Sequence, residues 1–426
     1  MSRAIFSQPL SGRTCNRNRR PSVPTVLVRA AALACALLWA CGIAIAQPNG
    51  PVKVGVLTDA SSGYAALSGT GSLEAAKMAA ADADGSLLGK PIEIVFADHQ
   101  NKADVGGAIA REWFDQQGVD VIADLINSSV ALTVQSIARE KNKIALFSAA
   151  TSSDLTGKAC SPNGFQWGLD AYSLAHGLTE ALIAGGGNTW FFITSDYAAG
   201  QAVEREMRTV LDQHHVQVLG GVRFPLNNPD FSSFLLQAQT SHAKIIAATS
   251  GGADTVNLLK QATEFNIPQA DQKLALTSYF ITDTQALGLQ VAHGIQYTTA
   301  FYYGASETSR AWAARFLEHT GKMPTWNQAM TYSAVLHYLQ AVKAAGTKET
   351  AAVIAEMRKM PVNDPMTTNA MLRPDGRLMR DVYLVEVKAP GESTGAWDYE
   401  KLSAVIPADQ AFRPLSESEC PLVKTQ

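Results

Sequence analysis

From Val52 onward, short apolar runs rich in β-branched residues alternate with longer stretches whose apolar positions recur at helical spacing. That alternation is the mark of parallel βαβ units, in which strands are buried on both faces and helices cover the sheet. Strands are predicted over residues 52–58, 92–97, 119–125 and 144–148, and helices over 72–84, 104–117 and 130–140. A turn at Gly89, Lys90 and Pro91 opens the second strand. These units make one complete lobe. Past Cys160 the chain runs through Phe165, Gln166, Trp167, Gly168, Leu169 and Asp170 into a new helix, and the alternation restarts. The second set has strands over 189–194, 216–222, 244–249 and 273–277, with helices near 201–214, 231–240 and 253–265. Beyond Gly294 come a strand-like run at 295–303, helices at 306–320 and 328–345, and a hairpin signal at Pro374, Asp375 and Gly376. These last elements are expected to complete both lobes. The predicted fold class is α/β, with two doubly wound parallel-sheet lobes.

The region before Val52 breaks the pattern. Arg13, Arg17, Arg19, Arg20 and Arg29 lead into an uncharged apolar run from Ala30 to Ala46 that closes on Ala44, Ile45 and Ala46. A basic flank, an apolar core and a small-x-small end predict an export signal cleaved after Ala46. The run falls just short of a membrane span. A lipoprotein box at Leu38, Trp39, Ala40 and Cys41 is disfavoured by the tryptophan beside the bond to be cut and by the apolar tail after it. Roughly 380 residues remain, more than one core usually serves. The formal charge of the whole chain is −3 and the signal takes several arginines with it, so no basic face for nucleic acid is expected. Of the five cysteines, Cys15, Cys35 and Cys41 leave with the signal, and Cys160 and Cys420 remain. Two cysteines in an oxidising compartment predict one disulfide, worth about 5 kcal/mol for a loop of that length in the chain-entropy model.

In an open parallel sheet, ligands bind beyond the carboxyl ends of the strands, where loops meet helix N-termini. In the first lobe those loops carry Ser61, Ser62, Gly63 and Tyr64; Asp98, His99 and Gln100; Asn127, Ser128 and Ser129; and Ala149, Ala150, Thr151, Ser152 and Ser153. In the second they carry Ser195, Asp196 and Tyr197; Ser250, Gly251 and Gly252; and Ser278, Tyr279 and Phe280. Ser128, Ser129 and Thr151 stand just before helices, where hydroxyls, backbone N–H groups and helix dipoles suit a small carboxylate. Taken singly, each also serves as an ordinary N-cap. Tyr64, Trp167, Tyr197 and Tyr279 offer apolar walls with polar tips, or core packing. No G-x-S-x-G elbow, H-E-x-x-H pair or P-loop is present, so no catalytic residues are assigned and an enzyme is not expected. Gly69, Thr70 and Gly71 begin a dinucleotide-like fingerprint, but Glu74 stands where its third glycine belongs. The eight histidines lack metal-ligand spacing apart from the adjacent His214 and His215 on a polar helix end. Neither a cofactor nor a metal is expected.

Several segments together resemble the solute-binding proteins of ABC importers, of the branched-chain amino acid (leucine-binding-protein-like, type I) kind. They are residues 53–59 (KVGVLTD) with Ser61, Ser62 and Gly63, residues 125–129 (LINSS), and residues 147–151 (FSAAT). Further on come residues 192–197 (FITSDY) with Gly200, residues 228–231 (NPDF), and residues 330–334 (MTYSA). The resemblance covers nearly all of the mature chain. It implies a periplasmic clamp whose two lobes are joined by a three-strand hinge, with crossings near Trp167 to Asp170, near Tyr297 to Phe301, and after Met371. It divides the chain into lobe one (52–168 and 299–372), lobe two (169–298) and a C-terminal segment (373–426) of hairpin and disulfide-tied tail. It also implies a ligand carboxylate held at Ser128, Ser129 and Thr151, with Tyr197 closing from lobe two. The expected binding set is Ser62, Tyr64, Asn127, Ser128, Ser129, Ala149, Thr151, Trp167, Asp170, Tyr197, Ser278 and Tyr279.

One departure from the family matters. Its amino-acid binders place an acid on the last strand loop of lobe two to pair with the ligand ammonium, and here residues 277–281 read TSYFI. Asp170 and Asp196 are the available substitutes. Residues 167–170 (WGLD), 232–239 (SSFLLQAQ) and 419–424 (ECPLVK) look closest to the branch that includes aromatic-acid binders. The expectation is therefore a monomeric clamp for an aromatic or branched aliphatic carboxylate, delivered to a membrane permease. Branched-chain amino acid uptake and ligand sensing by the same clamp are the alternatives.

Overall fold

The computed structural model describes residues 50–267 and 272–423. The expected signal, residues 1–46, lies outside the described residues. Strands β1 (Lys53–Thr58), β2 (Glu93–Asp98), β3 (Val121–Asp124), β4 (Ile144–Phe147) and β5 (Gly164–Gln166) form a parallel sheet in the order β2-β1-β3-β4-β5. Side chains alternate faces along each strand. Val54 and Val56 pack against Ala75, Ala76 and Met78 of α1 (Gly69–Asp82), while Leu57 and Ile122 face Trp113 of α2 (Ala103–Asp115) and Val134 of α3 (Ser128–Glu140). Both faces are thus covered, which is why these strands read as unbroken apolar runs.

The second sheet repeats the scheme. β6 (Thr189–Ser195), β7 (Gln217–Phe224), β8 (Ile245–Thr249) and β9 (Lys273–Leu276) are parallel in the order β9-β8-β6-β7. Trp190 and Phe192 pack with Leu174 of α4 (Ala171–Ala184) and Met207 of α5 (Ala198–Gln213). Phe191, Ile193 and Ile246 pack with Leu235 of α6 (Ser232–Thr240) and Leu258 of α7 (Ala253–Glu264).

Three passages connect the two lobes. Residues 167–170 lead from β5 to α4. A second runs from β10 (Gln296–Thr299) to α8 (Glu307–Thr320), which packs on α1. The third leads from β11 (Thr367–Leu372), through the hairpin, to β12 (Val382–Val387), which lies between β10 and β13 (Glu400–Ile406) in an antiparallel sheet. The hairpin seen in the sequence at residues 374–376 rests against the edge of the first sheet, where Gln166 donates its N–H to the Gly376 carbonyl at 2.9 Å. Arg377, next in line, is fully buried: it donates to the Gly168 carbonyl, approaches Asp170 to 3.8 Å, and stacks over the Phe412 ring at 4.0 Å. The first and third passages are therefore held together by one guanidinium.

The structure differs from the sequence reading at short elements. β5 has three residues and a glycine, too little for a strand signal, and β11 to β13 follow a stretch read only as a hairpin. The Gly69-Thr70-Gly71 run opens α1 instead of cradling a phosphate. A Cβ at Gly71 would lie 2.2 Å from Gln328 Nε2, so this glycine admits the close packing of α9 (Trp326–Ala345).

The disulfide between Cys160 and Cys420 is formed, joining residues 260 apart and fastening the C-terminal tail to the turn before β5. Removing it restores chain entropy to the unfolded state. The Cys160→Ser/Cys420→Ser variant is expected to melt roughly 5–10 °C lower than the oxidised protein in calorimetry. An unchanged melting temperature would mean that the cross-link adds nothing to stability.

Candidate ligand-binding site

The carboxyl ends of both sheets point at one another, and the loops between them enclose a cavity. Its non-atom space is about 450 Å³, including its mouth to solvent. Lobe one contributes Tyr64, Leu67, Ile126, Ala149 and Thr151, and the start of α9 adds Trp326 and Asn327. Lobe two contributes Tyr197, Ala199, Gly200 and Val203 from the head of α5, Thr249, Ser250 and Gly251 after β8, and Thr277, Ser278 and Phe280 after β9.

Of the residues expected to bind ligand, Tyr64, Ala149, Thr151, Tyr197 and Ser278 come together on this wall. Ser62, Asn127, Ser128 and Ser129 stand behind it. Ser62 Oγ donates to Asp59 at 2.8 Å, shaping the loop that carries Tyr64. Asn127 caps α3, its side-chain oxygen accepting the Ser129 and Val130 N–H groups at 2.9 and 3.1 Å. Ser128 Oγ accepts the Thr151 and Ser152 N–H groups at 3.3 and 3.2 Å. The donors thought to hold an anion at α3 are thus used to fix the loop that presents Thr151.

Three others are placed elsewhere by local chemistry. Trp167 is fully buried and its indole N–H donates to Ser333 Oγ at 2.9 Å. Asp170 caps α4 through the Ser173 N–H at 2.8 Å. Tyr279 packs edge-on against Tyr297 and bonds Thr284 Oγ1 at 3.0 Å. Trp326 and Asn327 were not foreseen, although Thr325 and Gln328 form a capping box that marks the start of α9 in the sequence.

No residue lining the cavity carries a charge. The acids nearby are spent on backbone. Asp59 accepts the Ser62 and Tyr64 N–H groups at 3.1 and 2.8 Å. Asp254 accepts those of Asn227 and Asn228 at 3.0 and 2.8 Å, and burial pushes its carboxyl up to about 6. Burial raises the Tyr64 phenol well above its usual range, with the Tyr197 ring adding to the effect, and takes Tyr197 up to about 12. Both keep their protons at neutral pH. Tyr64 donates to Tyr197 OH at 2.7 Å, so the Tyr197 proton is available to a guest. Tyr197 also precedes α5 without a side-chain cap, and Ala199 and Gly200, whose amides belong to the unpartnered first turn, line the cavity. The site offers an anion helix-end amides and neutral hydroxyls, with no cationic side chain.

The family model described as periplasmic binding protein matches residues 51–395. The chain belongs to the periplasmic binding protein family. A solved periplasmic binding protein from Burkholderia mallei is 44% identical, with 87% of this chain and 99% of that one covered and a TM-score of 0.85. A branched-chain amino acid ABC transporter periplasmic ligand-binding protein from Burkholderia xenovorans is 43% identical, with 87% and 100% covered and a TM-score of 0.77. A solute-binding protein from Rhodopseudomonas palustris, solved with benzoate, shares the fold at 19% identity, 84% and 97% coverage and a TM-score of 0.75.

In this periplasmic binding protein the lobes touch directly across the cleft. Gly63 donates its N–H to Asn227 Oδ1 at 2.8 Å and accepts the Ala253 N–H at 3.1 Å. A Cβ at Gly252 would sit 2.3 Å from the Gly63 carbonyl oxygen, and Gly252 has φ +60° with ψ −132°, a conformation costing other residues about 1–3 kcal/mol. Gly252→Ala is therefore expected to hold the cleft open. Small-angle scattering should give the ligand-free variant a larger radius of gyration than the wild type. Equal radii would show that this contact does not govern closure.

Proposed function

We propose that this periplasmic binding protein captures a small organic carboxylate, aromatic or branched aliphatic, between its lobes and delivers it to the permease of an ABC importer. Export by residues 1–46, with cleavage after Ala46, places it in the periplasm. The observation that carries the ligand reading is the uncharged wall with its uncapped helix end. A carboxylate gains from N–H and O–H donors aligned with a helix dipole, and a body of apolar carbon suits Leu67, Ile126, Val203, Phe280 and Trp326. The benzoate bound by the Rhodopseudomonas relative is in keeping with this class.

A branched-chain amino acid is the second reading, favoured by the name of the Burkholderia xenovorans relative. Its ammonium would meet only neutral oxygens, since no lining residue is acidic. An ammonium buried without a counter-charge costs several kcal/mol, which weighs against it.

A thermal-shift screen of the mature protein, refolded to remove carried ligand, separates the two. A ligand at a hundred times its dissociation constant adds about 2.7 kcal/mol and raises the melting temperature by several degrees. Shifts are expected with simple aromatic or branched aliphatic acids, and Tyr197→Ala should weaken binding about tenfold or more. Shifts confined to leucine-like amino acids would overturn the proposal.

A further inference from the structure

Two polar atoms on the cavity wall have no partner within the protein. Thr249 Oγ1, at the end of β8, and Asn327 Oδ1, in the first turn of α9, are unbonded, on residues only 3% and 1% exposed. Their neighbours are not in this position. Ser250 Oγ pairs with Thr255 Oγ1 at 2.8 Å, Thr277 Oγ1 donates to the Ala248 carbonyl at 3.3 Å, and Tyr64 bonds Tyr197. Buried polar atoms are ordinarily satisfied, and leaving one without a partner costs free energy, so two on the wall of one binding cavity point to the guest. They also come from opposite lobes, Thr249 from the second and Asn327 from the first.

We infer that the solute is a hydroxy-carboxylate, whose hydroxyl bonds Thr249 Oγ1 and Asn327 Oδ1 while its carboxylate takes the donors described above. This rests on the carboxylate reading. Asn327 Oδ1 is an acceptor, and Thr249 Oγ1 both donates and accepts, so a group that donates and accepts satisfies the pair. A hydroxyl does so without bringing charge. An ammonium supplies donors too, but it is a cation and no lining residue balances it. A plain acid supplies no donor and leaves both atoms unbonded.

Titration calorimetry on the mature, ligand-free protein tests this with two sets of probes. The first is benzoate against 3- and 4-hydroxybenzoate. The second is 4-methylvalerate against its 2-hydroxy analogue and against leucine, three molecules that differ at C2 only by hydrogen, hydroxyl and ammonium. A hydroxy acid from one set should bind at least about tenfold tighter than its unsubstituted parent. Thr249→Val, an isosteric change, and Asn327→Leu should each shrink that advantage to about threefold or less while leaving the parent's affinity within about threefold. The wild-type comparison stands even if a variant fails to fold. Parents binding as tightly as their hydroxy analogues in both sets would overturn the inference and leave the carboxylate reading intact. So would an advantage that survives both substitutions. Leucine binding more tightly than its hydroxy analogue, or no acid binding at all, would overturn both.

Discussion

The cavity depends on a contact between two pieces of backbone. The loop after β1 reaches across the cleft, and Gly63 meets Asn227 and Ala253 with no side chain of its own between them. Asp59, buried beneath that loop, holds it in shape through the Ser62 and Tyr64 N–H groups. Asp254 does the same for residues 227 and 228 on the other lobe. With both rims braced, Tyr64 and Tyr197 are brought hydroxyl to hydroxyl. The glycine at 252 is part of this arrangement because a methyl group there would occupy the space of the Gly63 carbonyl.

Charge is kept off the wall by the same economy. Carboxylates around the cleft are turned toward backbone amides, where a hydrogen-bonded anion orders a loop. The cavity is left with neutral donors, an uncapped helix and apolar surface. Such a site holds an anion by fixed dipoles, which are in place before the ligand arrives. A neutral site also suits a carrier that must release its cargo, since no buried ion pair has to be broken.

Much of this was legible in the chain. The strands are continuous β-branched runs because both sheets are covered on both faces, and the loops at their carboxyl ends could be read off directly. Thr151 and Tyr197 emerged from that rule. Trp167 and Tyr279 were ambiguous, because an aromatic beside a loop packs inward as readily as it faces a cleft, and both went into the core. Ser128 and Asn127 carry a carboxylate-binding signature, yet a cap and an anion site ask for the same atoms, and here the protein's own amides take them. Asn327 was invisible for a different reason: it reaches the cavity from a helix nearly 200 residues beyond its partners in lobe one. Only the packing of α9 on α1 brings it there.

The central claim is that an uncharged cleft holds a carboxylate by dipoles and hydroxyls. A crystal structure with the most stabilising acid from the screen tests it most directly. The account predicts the carboxylate inside the cavity, bonded to Thr151 and Tyr197 or to the Ala199 and Gly200 amides, with no lysine or arginine in contact. A carboxylate paired with a cationic side chain, or bound outside the cleft, would contradict it.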